Sequence, residues 1–256
     1  EVIFGRKANW HGNVGGARHV WFQFADMALD VIGADNESPA GKSALEYIDK
    51  HGEGVWGLGF SVVDLDAARH TLERRGLEFT GTHITRSTDA EGRERTWRLA
   101  IARRKSTYGP AQFIVEKQEP WPVAPETADA TVSTLDHIVV HSQNPDRALA
   151  HYGARLGLDL RLDRANEQWG ARQQFFRCGS AVVEIGMSLK KPVSDAPDSF
   201  GGLAWRVAEP EKVQARIAAA GIDVSEVRKG RKPGTAVFTV RAGTGGVPTL
   251  MLSGNG

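Results

Sequence analysis

The chain holds one cysteine, Cys178, so no disulfide can form within it, and a reducing cytoplasm is the expected compartment. No run of 18 apolar residues is present to span a bilayer as a helix. The opening EVIFGRKANW reads as strand rather than as a signal peptide. Charge of one sign is also missing. Lys and Arg number 32 and Asp and Glu 31, a net +1, which argues for neither nucleic acid nor an anionic membrane as partner. What is present is 41% hydrophobic and 25% charged residues over 256 positions. That balance belongs to a globular protein of one large domain or two ordinary ones.

The chain repeats itself. WGLGFSVVDLDAARHTLERRGLEF (56–79) aligns without a gap on GGLAWRVAEPEKVQARIAAAGIDV (201–224). Both read as a small-residue strand, an acidic turn, an amphipathic helix, a glycine stop and a second strand. Gly76 and Gly221 stand where a helix end favours positive φ, and Asp64 and Glu209 stand where acids suit a helix start. HIVVHSQNPD (137–146) matches GLAWRVAEPE (202–211). Residues 1–33 match 158–186 more loosely, with Asp30 over Glu184. Four units of the form βαβββ result, at 1–35, about 54–118, about 133–189 and about 199–253. Unit one lacks its first strand and helix, and we expect these to lie outside the 256 residues. The Pro-rich stretch EPWPVAPETADAT (119–131) reads as a linker. The expected domains are therefore residues 1–118 and 133–256, with 119–132 between them.

Two histidines stand out. A strand alternates its faces with period two, so His137, Val139 and His141 share one face. They line either a site or a core.

HxxxH on a strand, PDRALAHY on a helix and an LGL strand, within four βαβββ units, resemble the vicinal oxygen chelate superfamily: glyoxalase I, bleomycin and fosfomycin resistance proteins and extradiol dioxygenases. The first half resembles the glyoxalase-like branch. The resemblance implies an α+β fold of paired βαβββ modules forming two half-open barrels. It implies a small-molecule ligand bearing neighbouring oxygens and a divalent metal (Fe, Mn, Ni or Zn) held by His, Glu or Gln from first and last strands. It implies an enzyme of lyase or dioxygenase type, or a metal-free binding or resistance-type protein. It allows units to pair within one chain or between two, hence a homodimer.

Set against that pattern, unit three supplies His137 and Glu184 as metal ligands or catalytic residues. Unit four supplies Gly202 and Met251, and unit two Gly57 and Phe113, none of them ligands. His141 shares the face of His137 but stands two pleat repeats, about 13 Å, away along a straight strand, too far for one ion. His137 and Glu184 alternatively form a hydrogen-bonded pair that acts as a general base. Gly57, Gly59, Gly202 and Ala204 face the barrel, opening the cavity or letting backbones approach. Arg206 faces inward and needs an acid or an anionic ligand. Trp10 and Trp169 fall in what read as equivalent loops at a cavity mouth. His141, Arg206, Gly57, Gly202, Trp169 and Trp10 are thus the expected substrate contacts. RERTWRLAIARRKSTYG (93–109) is a solvated hairpin or an anion-binding edge, with Arg95, Trp97 and Leu99 on one face. His151 is expected at the surface. His11, His19, His51 and His83 fall on loops or strand ends, and the sequence places none of them in a site.

Overall fold

A computed structural model of the chain describes residues 1–25, 27–34, 38–116 and 122–254. The start of the expected linker, 119–121, lies outside these residues. The first half runs β1 (Trp10–Val14), β2 (Ala17–Gln23), β3 (Ala28–Ile32), α1 (Pro39–His51), β4 (Gly57–Val62), α2 (Leu65–Arg74), β5 (Phe79–Thr88), β6 (Glu94–Ala102) and β7 (Ala111–Glu116). The second runs β8 (Val132–His141), α3 (Pro145–Ala148) leading into a π-helical stretch (Leu149–Arg155), β9 (Asp159–Asn166), β10 (Ala171–Cys178) and β11 (Ala181–Ser188). It continues with β12 (Ser199–Val207), α4 (Pro210–Ala219), β13 (Arg228–Lys229), β14 (Ala236–Val240) and β15 (Thr249–Ser253). Among the described residues no helix is long and apolar enough to cross a membrane.

The helices start and stop on local chemistry. Asp64 accepts from the Ala67 amide at 2.9 Å and Asn144 from Arg147 at 3.0 Å, while Pro145 and Pro210 occupy first-turn positions that need no donor. Glu209 makes no such cap bond. Gly76 and Gly221 end their helices at φ +88° and +81°, conformations that cost other residues more. Helix α1 was not legible in the repeat, because it lies between units rather than within one.

Two mixed sheets follow, of seven and eight strands among the described residues. The second has the order β13-β14-β15-β12-β8-β11-β10-β9, so its two units join through their first strands, β12 and β8. The first has the order β3-β2-β1-β5-β6-β7-β4, and its two units join instead through β1 and β5, by the pairs Asn13–Thr88 and Val14–Ser87. In both sheets the pairing of units lies within the one chain. Each sheet presents its other face to helices. Leu65 and Leu72 of α2 pack on Ala100 and Ile114, and Val213 and Ile217 of α4 pack with Trp205, Phe238 and Met251. Phe22, Phe24 and Ala8 of the first unit join the same cluster as Trp205 and α4. Burying such a cluster, at roughly 25 cal/mol per Å² of apolar surface, is what holds the sheet faces in place.

Candidate active site

The second sheet assembles a line of polar side chains across four adjacent strands. Strand β8 lies parallel to β11, with His137 opposite Val182 and Val139 opposite Glu184. This sets the two expected residues on one face, His137 Nε2 3.4 Å from Glu184 Oε2. That separation is longer than a good hydrogen bond, so each atom keeps access to a third partner. The other Glu184 oxygen accepts from Gln173 Nε2 at 2.5 Å, from β10. His137 Nδ1 lies 2.7 Å from Asp136 Oδ1, which assigns the Nδ1 proton as donor to that carboxylate.

Asp136 should face away from His137 by alternation. A bulge between β8 and β12 changes this. Ala204 pairs with His137 but Trp205 pairs with Leu135, leaving Asp136 as the extra residue. Two successive side chains thereby reach the same wall. Asp136 Oδ2 lies 2.8 Å from Arg206 Nε. The N–H is not aimed at the oxygen, since Arg206 Nε has no hydrogen-bond acceptor among the described residues, so the contact is an ion pair rather than a hydrogen bond. Burial opposes ionisation of Asp136, but the His137 hydrogen bond and the His137 and Arg206 charges together hold its carboxyl below the usual range. Arg206 thus has an acid partner in Asp136, a residue that the sequence reading did not single out.

Several expected contacts fall elsewhere. His141 is exposed at the end of β8, its ring lying against Gly186 and Gly201, not against His137. Gly57 and Gly59 are in the other sheet, and the Phe113 ring fills the space above them: a Cβ on Gly59 would stand 2.4 Å from it. Gly202 is pressed to the backbone, where a Cβ would lie 2.4 Å from the Pro248 carbonyl. These glycines serve close approach, not an open cavity. Met251 is fully buried beneath α4 opposite Trp205. The wall residue of β15 at the level of His137 is Leu250, opposite Ala204. Trp169 sits half-exposed in the β9–β10 turn with Arg231 4.6 Å from its ring. Trp10 is buried on strand β1, so the two tryptophans are not equivalent. His151, expected outside, is fully buried and bonds Gln112 at 2.9 Å between the halves.

In the first sheet the expected counterpart of Glu184 is Asp30, and it too faces a donor on the preceding strand: His19 Nδ1 at 2.7 Å. His19 Nε2 meets Ser87 Oγ at 2.6 Å, and Trp10 Nε1 donates to the same oxygen at 2.8 Å. His19 and Ser87 were not predicted. The alternation His19–Trp21 beside Asp30 carried the signal for the first. The second depends on the long-range β1–β5 pairing.

Among the described residues no group of three or more His, Cys, Asp or Glu converges as a metal site. His137 and Glu184 make a set of two, and the adjoining positions in β12 and β15 are Gly202, Ala204 and Leu250, which have no donor. A catalytic divalent ion takes about three protein ligands. The donor set does not fit a resident ion.

Two curled mixed sheets, with the polar line on the wall opposite the helices, define an α+β fold of paired modules. Residues 3–94 and 136–238 match the Glyoxalase/Bleomycin resistance protein/Dioxygenase superfamily, and the chain belongs to it. Among solved structures, a mutant of 4-hydroxymandelate synthase from Streptomyces coelicolor is similar over 94% of this chain and 81% of that one, at 15% identity and TM-score 0.64. Methylmalonyl-CoA epimerase from Mycobacterium tuberculosis is similar over 50% of this chain and 93% of its own, at 20% identity and TM-score 0.42. The first of these likenesses concerns the fold alone. No curated protein sequence matches the chain.

Proposed function

We propose that the second sheet carries the acid–base site of a lyase-type enzyme acting on a small organic molecule with neighbouring oxygens. The observation that supports it is the line Gln173–Glu184–His137–Asp136–Arg206. Asp136 fixes the Nδ1–H of His137, which leaves Nε2 to take a proton from a carbon beside a carbonyl. Glu184, oriented by Gln173, faces Nε2 and receives or returns that proton. Arg206, on the same wall, supplies positive charge where an enolate oxygen develops. A dioxygenase would need a redox metal, which two ligands do not hold, so the lyase type is the better reading of the donor set.

The aliphatic residues at the other ligand positions, Gly202 and Leu250, favour a second reading: a metal-free protein that binds such a molecule without converting it. Proton NMR in D₂O separates the two. The protein is incubated with a panel of 2-oxo acids, 2-hydroxy acids and hydroxyketones. Carbon-bound deuterium should appear with the wild type and not with His137→Gln. Binding shifts without exchange in any member of the panel would favour the sequestering protein.

A further inference from the structure

Three indole rings gather around the Arg95 guanidinium on the wall of the first sheet, and the Arg93 carbon Cζ lies 5.9 Å from the ring centre of Trp10. Alternation along β6 sends Arg95 and Trp97 to the same face, and β5 brings Ser87 opposite Arg95. Strand β2 contributes Trp21, opposite Asp30 of β3, and β1 contributes Trp10, opposite Trp21. The Arg95 carbon Cζ lies 4.9 Å from the ring centre of Trp21, 5.8 Å from Trp10 and 5.9 Å from Trp97. Trp21 and Trp97 stand 6.4 Å apart and tilted, both half-buried.

Beside them Ser87, His19 and Asp30 are joined as in a serine hydrolase. The likeness stops at accessibility. Ser87 is 0% exposed, and its hydroxyl accepts from Trp10 and shares a hydrogen bond with His19. A nucleophile must reach its substrate, and this one is enclosed. What the relay does is set the His19 ring with Nδ1 toward Asp30, which ties that carboxylate to a partner of its own. Burial presses the Arg95 guanidinium down to about 10, opposed by the Asp30 charge, so it stays cationic near neutral pH.

We propose that this wall is a second binding site, taking a planar aromatic carboxylate. Its ring lies against Trp21 and Trp97 and its carboxylate meets the planar donor fork of Arg95. An indole-lined cation selects that class twice over: an aliphatic anion loses the ring contact, and an aromatic cation meets like charge. The inference stands apart from the acid–base reading of the second sheet, since it uses none of those residues.

Calorimetric titration of the full chain with 2-naphthoate, and separately with 2-naphthylmethylammonium, tests it. Naphthoate should bind once per chain and the ammonium should not. Arg95→Gln should weaken naphthoate by about tenfold or more, Arg95→Lys by less, and His137→Ala not at all. Circular dichroism melts report whether each variant is folded. Should Arg95→Gln unfold, Arg95→Lys and Trp97→Leu carry the comparison. Absent saturable binding, equal binding of the ammonium, wild-type affinity in the folded Arg95 and Trp97 variants, or loss of binding in His137→Ala each overturn the proposal.

Discussion

Glu184 and Asp30 align in the repeat, but β11 lies inside its sheet whereas β3 is the outermost described strand of its own. Each stands on the last strand of its unit and each faces a donor on the strand before it, Gln173 at 2.5 Å and His19 at 2.7 Å. Only Glu184 also meets a first-strand histidine, His137. If the second sheet does acid–base chemistry, Glu184→Gln keeps the shape and removes the charge opposite Nε2. Exchange in D₂O should fall about 100-fold, with the melting temperature little changed. An unchanged rate would remove Glu184 from the reaction.

His151 links pH to stability. Its Nε2 bonds Gln112, its Nδ1 has no hydrogen-bond partner among the described residues, and burial, aided by the Arg155 and Arg147 charges, pushes it down to about 4. The folded state therefore resists a proton that the unfolded chain takes up near pH 6.5. Stability should be complete above that value and fall as pH drops from about 6.5 to 4, by roughly 3 kcal/mol. Urea melts across this range should show the slope, and His151→Gln should flatten it.

Gly12 admits the Trp10–Ser87 hydrogen bond. A Cβ there would stand 2.2 Å from Trp10 Nε1 and 2.4 Å from Ser87 Oγ. Gly12→Ala should displace both and cost about 1–3 kcal/mol in urea unfolding, with tryptophan emission shifted to the red. Wild-type stability with unshifted emission would mean that neither side chain is held there.

Arg147 and Asp198 are 2.5 Å apart with side chains 9% and 3% exposed. Burial raises the Asp198 carboxyl despite hydrogen bonds from Ser142 and Arg147. Arg147→Met leaves that acid without its cation. The loss should be about 3 kcal/mol at pH 8 and smaller at pH 5, where the buried acid accepts a proton. Equal losses at both pH values would contradict this account.

The repeat made the fold legible: strand order within units, helix starts at Asp64 and glycine stops at Gly76 and Gly221 follow from local pattern. So does the meeting of His137 with Glu184, because the parallel pairing of first and last strands is part of the unit. Asp136 was hidden because a bulge breaks the alternation on which strand reading depends. Ser87 was hidden because its partners, 68 and 77 residues away, arrive through a seam that the repeat does not encode. Met251 was misplaced by one residue, which in a strand is the opposite face. His151 was misread because the helix that carries it packs on the other half, and a helix has no outward side where something covers it.

The seam between β1 and β5 rests on two residue pairs, whereas Phe22, Phe24 and Ala8 share a core with Trp205 and α4. Partial opening should therefore ignore chain order. Amide protons of β2 should exchange with deuterium at the pace of β12 and β15, and those of β6 and β7 at a pace of their own. The first 34 residues then belong, in the cooperative sense, to the end of the chain farthest from them in sequence.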